Sequence, residues 1–391
     1  MRTSICDQLG IEYPVLAFSH CRDVVAAVSR AGGFGVLGAT ILTPEQLEIE
    51  LRWIDEAVGG RPYGVDVLVP EKLAGIEKGS RFDGPALAEL IPEEHRRFLD
   101  ALLAEYGIDP SDPGDEGGES DPVHADMSNA AREGLASGLT GEGAVRLIEV
   151  ALTHPIRLVA NALGAPPAEM IKAAHAAGVP VAALAGKREH AQRHVAADVD
   201  IIVAQGYEAG GHTGDIATMV LVPEIVDAVA PRPVLAAGGI ARGRQMAAAM
   251  ALGAQGVWTG SVWLTTHEAE THPVVKEKFL KATSSDTLRS RSITGKPARQ
   301  LKSAWTDAWD NRPDSPGPLP MPLQPLLVDY ALHRIRRAAS AGAPGAVQLV
   351  NYFVGQVVGS LDAVRPARQV LHEMIEEYVE TVSGLSDGLQ Q

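Results

Sequence analysis

The stretch Tyr13-Pro14-Val15-Leu16-Ala17-Phe18 is the first of a series of apolar runs from which the fold of this chain can be predicted. It is a short apolar run, typical of a buried strand, and residues 23–31 follow it with apolar side chains at helical spacing. Gly32-Gly33 ends that helix, and Phe34-Gly35-Val36-Leu37-Gly38-Ala39 is the next apolar run. The stretch therefore predicts a strand, a helix and a second strand in succession.

The same alternation continues along the chain. Further apolar runs predict strands at 63–69, 156–161, 180–184, 199–204, 233–237 and 256–258, with helical patterns between most of them. Short, nearly continuous apolar strands that alternate with helices indicate a parallel sheet covered on both faces. About eight such strands favour an α/β fold of the (β/α)8 TIM barrel class, and a doubly wound open sheet is the alternative.

Two regions interrupt this pattern and suggest a domain division. We predict one barrel domain from residues 1–70 and 151–267, with a partly flexible insertion at 71–150. The insertion contains a predicted helix at 92–106 and then a stretch poor in apolar residues. Residues 268–391 are predicted to form a C-terminal extension of helices and loops that packs on the barrel, with an amphipathic helical tail at 347–382.

The composition narrows the possible partners and location. The 391 residues are 46% hydrophobic and 21% charged, which predicts a folded chain with a large core. The formal charge is −15 and no block of Lys and Arg stands out, so nucleic acid and membrane are poor partners. Only Cys6 and Cys21 are cysteines, and neither a signal peptide nor a membrane span is visible. We expect a cytoplasmic protein without a disulfide framework or a metal site.

One glycine-rich segment contains a histidine, Gln205-Gly206-Tyr207-Glu208-Ala209-Gly210-Gly211-His212-Thr213-Gly214-Asp215. It follows a predicted buried strand, and barrel active sites are built at the carboxyl ends of strands. Glycines let the backbone pass close to a flat ligand, and histidine moves protons near neutral pH. The segment indicates a catalytic role for His212, with a glycine-rich turn and an incidental histidine as the alternative.

Two later segments are also rich in small residues, Ala236-Ala237-Gly238-Gly239-Ile240-Ala241-Arg242-Gly243 and Gly253-Ala254-Gln255-Gly256-Val257-Trp258-Thr259-Gly260-Ser261. Late strand-to-helix loops of a barrel commonly bind phosphate through backbone N–H groups. Neither segment has the context of a dinucleotide-binding Rossmann motif or of a P-loop. Together they predict a phosphate site that needs no basic side chain.

These segments, with 219–223, 251–254 and 293–299, resemble the nitronate monooxygenase (2-nitropropane dioxygenase) family. That family also includes FMN-dependent enoyl-thioester reductases and NADH:quinone reductases, and the likeness covers most of the chain outside about 71–150. The resemblance implies FMN as cofactor and His212 as an active-site residue, acting as a base or positioning the substrate. It implies that the flavin is contacted by Gln205, Gly206, Gly210 and Gly211, and its phosphate by the loops containing Ala237, Gly238, Gly239, Gly260 and Ser261.

The chain departs from the usual family pattern at two places. After the first strand it has Ala17, Phe18, Ser19 and His20 where the family usually has Ala-Pro-Met-x-Gly, and it has Asp66 where the family commonly has Asn. The resemblance implies that these residues lie near the flavin. His20 could pair with Asp66 or act as a second catalytic proton-transfer group, and the alternative is that it only caps its loop.

Three functional hypotheses remain from the sequence. The first is a nitronate monooxygenase that oxidises alkyl nitronates with O2. The second is an NAD(P)H-dependent FMN reductase of an enoyl thioester or a quinone, with the basic segment 289–299 able to hold a phosphate. The third is an FMN-binding barrel with little catalysis.

His190 and His194 are predicted on a helix away from the strand ends, and Trp305 and Trp309 could line a substrate mouth or stabilise a possible homodimer.

Overall fold

Eight parallel strands close into a barrel in the computed structural model, which describes residues 2–67, 89–110, 141–162 and 164–388. The first strand pairs with the second and also with the last, which closes the ring. This confirms the predicted (β/α)8 barrel and excludes the open sheet. The barrel strands are β1 (Val15–Ser19), β2 (Phe34–Gly38), β3 (Tyr63–Val67), β4 (Val159–Asn161), β5 (Val181–Ala185), β6 (Ile201–Gln205), β8 (Val234–Ala237) and β9 (Gly256–Thr259).

Alternate residues of each strand pack on opposite faces, as extended backbone requires. Val15, Tyr63 and Val65 belong to the layer between strands and helices, while Leu16 and Val203 belong to a separate core inside the barrel. Most side chains on both faces are apolar, because the strands are covered on the inside by one another and on the outside by helices.

The helices are α1 (Ser4–Leu9), α2 (Arg22–Arg30), α3 (Pro44–Ala57), α4 (Glu93–Glu105), α5 (Gly141–Ala151), α6 (Ala168–Ala176), α7 (Arg188–Ala196), α8 (Thr218–Val229), α9 (Gly243–Ala251), α10 (Pro273–Lys281), α11 (Ala304–Asn311), α12 (Leu323–Ser340), α13 (Pro344–Leu349) and α14 (Ala367–Gly388). The last of these packs against both α9 and α2. It therefore takes the place of the eighth helix in the barrel's outer ring, although more than a hundred residues separate it from β9.

A second, three-stranded sheet forms outside the barrel. It orders β10 (Thr287–Ser290), β11 (Ala298–Leu301) and β7 (Gly211–His212), with all pairs antiparallel. The sequence predicted a loop for the glycine-rich segment that contains β7. Pairing with β11 fixes the backbone of His212, because Ala298 lies directly opposite it.

The predicted helical tail at 347–382 is not continuous. Helix α13 ends at Leu349, residues 350–366 are not α-helical, and α14 starts at Ala367. Tertiary contacts explain the interruption: the Asn351 side chain donates to Gln300 Oε1 at 2.6 Å, and Gly355 N donates to Ser261 Oγ at 2.8 Å. These contacts draw residues 350–366 toward the carboxyl end of the barrel, and the predicted helix is interrupted there.

The predicted insertion at 71–150 lies mostly outside the described residues. Its predicted helix at 92–106 is confirmed as α4, with Pro92 at the N-cap position. In the part of the chain that the structure covers, no helix is long and apolar enough to cross a membrane.

Candidate active site

A cavity of about 520 Å³ lies at the carboxyl ends of β4, β5 and β6, a volume typical of small-ligand pockets. The barrel therefore has its cavity on the face where such folds carry active sites. The lining residues are Ala162, Gly164, Ala165, Leu184, Gly186, His190, Arg193, His194, Gln205, His212, Thr213, Gly214 and Lys296.

His212 projects into this cavity from β7. Its Nε2 atom lies 2.9 Å from the Thr294 hydroxyl, which also lies 3.1 Å from the Lys296 carbonyl oxygen. Burial, together with the positive charge of Lys296, lowers the pKa of His212 to about 4. The imidazole is therefore neutral near pH 7, and one ring nitrogen is able to accept a proton or a hydrogen bond.

Two arginines of the basic segment hold the loop that carries His212. Arg299 is buried, its Nε donates to the Tyr207 carbonyl at 3.0 Å, and its guanidinium lies 4.3 Å from the centre of the Tyr207 ring. Arg289 donates to the Thr213 carbonyl at 3.2 Å and pairs with Asp215. These arginines therefore position the loop, and Lys296 is the residue of this basic segment that lines the cavity.

One wall of the cavity is positively charged. Its cations are Arg193 on α7 and Lys296 on the turn between β10 and β11, and His190 also lies on α7. Among the described residues, no Asp or Glu lines the cavity. A wall of this sign with no compensating carboxylate favours an anionic ligand.

The prediction that His190 and His194 lie away from the strand ends is wrong. Helix α7 starts directly after β5, so its first two turns stand at the cavity, and His194 is buried with its Nε2 3.0 Å from the Leu184 carbonyl. The helical spacing of residues 190, 193 and 194 was the available signal, because it places them on one face.

The loops after β8 and β9 present backbone donors. Gly238 and Gly239 have φ angles of +92° and +73°, and a side chain on Gly238 would come within 3.0 Å of Gly206 O and Ala209 N. Within the described residues, the backbone amides of Gly238, Gly239 and Gly260 donate no hydrogen bond. Free N–H groups on two adjacent loops suit the phosphate of a nucleotide-type cofactor.

Glu208 stands beside these loops but its carboxylate is already bonded. Its Oε2 atom accepts hydrogen bonds of 2.9 Å from both the backbone N and the hydroxyl of Thr218, at the start of α8. The loop residues approach one another closely, because a Cβ on Gly355 would meet both Gly210 N and Ser261 Oγ. The predicted residues Gly210 and Ser261 therefore form one packed group with Gly355, whose place there no local pattern in the sequence indicates, while Gly206 packs against Thr218.

Asp66 is a buried carboxyl group at this end of the barrel with one oxygen that is not hydrogen-bonded to any described residue. It is 2% exposed, and its Oδ1 atom has no hydrogen-bond partner among the residues described. Burial raises its pKa to about 7, although a hydrogen bond from the backbone of Ala162 opposes the shift. An orphaned buried oxygen in the barrel mouth is consistent with a contact that a bound ligand supplies.

His20 does not bind Asp66, so the predicted pairing is wrong. Its Nδ1 atom lies 2.9 Å from the Gly38 carbonyl, and its ring packs edge-on against Phe18. The ring keeps an exposed edge, but dense surrounding protein lowers its pKa, with the Gly38 hydrogen bond opposing the change. The hydrogen bond holds His20 at the rim of the barrel, and the residue does not line the cavity.

The other predicted residues near the first strand have structural contacts. Ala17 is buried in the layer outside the barrel, Phe18 stacks on Trp258, and Ser19 Oγ accepts a hydrogen bond of 3.1 Å from Cys21 N. Trp305 and Trp309 are fully buried, so they line no substrate mouth and stabilise no dimer surface. Of the predicted site residues, the cavity therefore brings together Gln205 and His212.

Known proteins are similar to this chain over nearly its whole length. A family model described as nitronate monooxygenase matches residues 3–88 and 115–377. A Mycobacterium tuberculosis protein, provisionally named a monooxygenase, is 59% identical over 391 residues and covers 100% of both chains. A Bacillus subtilis protein, provisionally named a nitronate monooxygenase, is 28% identical over 94% of this chain and 93% of its own.

Two solved structures are similar over almost their full length. Nitroalkane oxidase from Streptomyces ansochromogenes has a TM-score of 0.74 and 26% identity, covering 97% of this chain and 99% of that one. FabK from Thermotoga maritima has a TM-score of 0.68 and 25% identity, covering 99% of both.

Proposed function

This chain belongs to the nitronate monooxygenase family and is a flavin-dependent oxidoreductase, and we propose that it uses FMN to oxidise alkyl nitronates with O2. The hypothesis of an FMN-binding barrel with little catalysis is not retained, since the family is one of enzymes. A cytoplasmic location and a homodimer stay predictions.

The residues present suit FMN. The free amides of Gly238, Gly239 and Gly260 would hold its phosphate, and Ser261 would lie beside them. Gln205, Gly211 and His212 would hold the ring, together with Asp66 and Phe18 at the same end of the barrel. When bound, FMN would supply the electron transfer, and the protein would supply position and charge.

The charge of the cavity wall is the observation that carries the choice of substrate. A nitronate is an anion with its charge shared between carbon and the nitro oxygens. Arg193 and Lys296 would hold those oxygens, and no described carboxylate repels them. Neutral His212 would position the substrate without adding a charge to the cavity, because its low pKa keeps it uncharged.

A second candidate is an NAD(P)H-dependent reductase of an enoyl thioester or a quinone. The similarity to FabK over 99% of both chains favours keeping it as the alternative. Arg193 and Lys296 could instead hold a phosphate group of a nicotinamide cofactor or of a thioester substrate. The two candidates differ in which compound reduces the flavin.

The first test is an anaerobic titration of FMN-loaded protein, following the visible absorption of the flavin. Propyl nitronate, NADH and NADPH are added to separate samples. We expect bleaching by the nitronate, with reoxidation on admitting O2, and no bleaching by the nicotinamides. Rapid bleaching by NADH or NADPH alone would establish the reductase instead. Failure of the protein to bind FMN would contradict the proposed cofactor.

The role of His212 is tested by His212→Ala. We expect bound FMN to be retained and kcat/KM for the nitronate to fall roughly 100-fold or more, which is the usual size of the loss when a substrate is no longer correctly positioned. His175→Ala is a matched control, because His175 lies on α6, outside the cavity, and binds Asp200. Unchanged turnover of the His212 variant would contradict the assigned role.

A further inference from the structure

We propose that Asp66 binds the flavin as a neutral carboxylic acid that donates a hydrogen bond to the ring, so that its ionisation weakens FMN binding. This inference rests on the proposed FMN site. It adds to the proposed FMN contacts the ionisation state of Asp66, which is set by the pH.

The strand places Asp66 inside the barrel. Tyr63, Val65 and Val67 pack in the outer layer, so the intervening side chain of Asp66 points to the interior. Its cross-strand neighbours are Gly38 on β2 and Ala160 on β4. Asp66 is therefore a carboxyl group at the carboxyl end of β3, on the same side of the sheet as the apolar interior core.

The surrounding strands offer no opposite charge. Neither β2 nor β4 contains an ionisable residue, and the loop after β1 contributes His20, which is bonded to Gly38. His212 and Lys296 line the cavity at this end of the barrel, and neither forms an ion pair with Asp66 in the described parts of the chain. A buried carboxylate without a cation is unfavourable, so the neutral acid is the favoured form.

The neutral acid has the donor that a flavin can use. A protonated carboxyl group carries one O–H, and the flavin ring presents carbonyl oxygens and ring nitrogens as acceptors. Oδ1 of Asp66 has no described protein partner and remains available for this contact. An ionised Asp66 would instead face those acceptors with a negative charge, and would oppose the extra negative charge that reduction brings. Affinity for FMN should therefore fall as the pH rises through the pKa of Asp66, about 7.

The experiment measures the dissociation constant of FMN for apoprotein, from flavin fluorescence, at several pH values between about 6 and 8.5. We expect the wild-type affinity to fall roughly ten-fold across this range. Asp66→Asn keeps the size and a donor but cannot ionise, so its affinity should stay nearly constant. Asp227→Asn, at an exposed position of α8, is the matched control and should retain the wild-type slope.

Each outcome decides the inference. A flat wild-type titration overturns it without reference to any variant, and so does affinity that rises with pH, which would indicate a carboxylate that accepts from the ring N–H. An equal slope in wild type and Asp66→Asn also overturns it, while leaving the FMN site itself intact. No FMN binding at any pH overturns the proposed cofactor as well.

Discussion

The hydroxyl group of Thr294 links His212 to the turn between β10 and β11. Lys296 N approaches this hydroxyl at 3.3 Å, and the Lys296 carbonyl lies 3.1 Å from it. If the hydroxyl donates to the Lys296 carbonyl, His212 Nε2 is the donor to Thr294 and Nδ1 is left as the acceptor. Thr294 is therefore placed to set the tautomer and the orientation of the histidine.

We predict that Thr294→Val lowers kcat/KM roughly ten-fold, because the isosteric side chain leaves His212 Nε2 without its partner. Thr294→Ser keeps the hydroxyl and should restore most of the activity. The measurement compares the pH profiles of both variants with wild type and checks that FMN affinity is unchanged. Wild-type activity in the valine variant would show that the hydrogen bond does not position His212.

At the scale of elements, helix α3 is fastened to the start of β3 by an ionisable cluster. His154 Nδ1 lies 2.6 Å from Asp55 and Nε2 lies 3.0 Å from Glu48, both on α3. The Tyr63 hydroxyl donates to the other oxygen of Asp55 at 2.6 Å. Burial alone would lower the pKa of His154, but the two carboxylates outweigh it and raise the pKa.

This cluster predicts a pH-dependent contribution to stability. The folded-state pKa of His154 lies above the unfolded value of about 6.5, so the contribution is complete below that pH. It is lost as the pH rises through the folded-state pKa. We expect His154→Gln to lower Tm more at about pH 6 than at about pH 9, by thermal denaturation. An equal loss at both pH values would contradict a charged His154 in the fold.

At the scale of the whole molecule, α14 completes the outer ring of helices by packing against α9 and α2. A Cβ on Gly243, the first residue of α9, would clash with the Met374 carbonyl oxygen and with Tyr378 N. Glu377 of α14 also binds Arg242 and Arg244 beside this contact. The absence of a side chain at Gly243 therefore permits the two backbones to meet.

Gly243→Ala should destabilise the protein by about 1–3 kcal/mol, since the clash is with backbone that cannot rotate away. Helix propensity alone would predict the opposite sign. Gly384→Ala, in α14, is the matched control: nothing lies within 4 Å of its Cβ, so stability should be unchanged or higher. Urea denaturation checks both, and a stable Gly243→Ala would show that α14 does not pack here as described.

The barrel and the glycine-rich loop around His212 are both predictable from the amino-acid sequence alone, because both depend on local signals. Alternating apolar runs specify buried parallel strands, and the glycines around His212 and at 238–239 mark the places where the backbone must turn or approach a ligand. These signals lie within a few consecutive residues and need no knowledge of distant contacts. The strand positions accordingly agree with the structure to within a few residues at each end.

Which distant residues complete the candidate site depends on the folded chain as a whole. Lys296 and Thr294 meet His212 because β11 pairs with β7, and Gly355 meets Ser261 because residues 350–366 leave the helical path. Arg193 and His190 enter the cavity because α7 begins directly after β5. The contacts of Lys296, Thr294 and Gly355 depend on long loop closures and on packing against the barrel, and no local pattern in the chain encodes them.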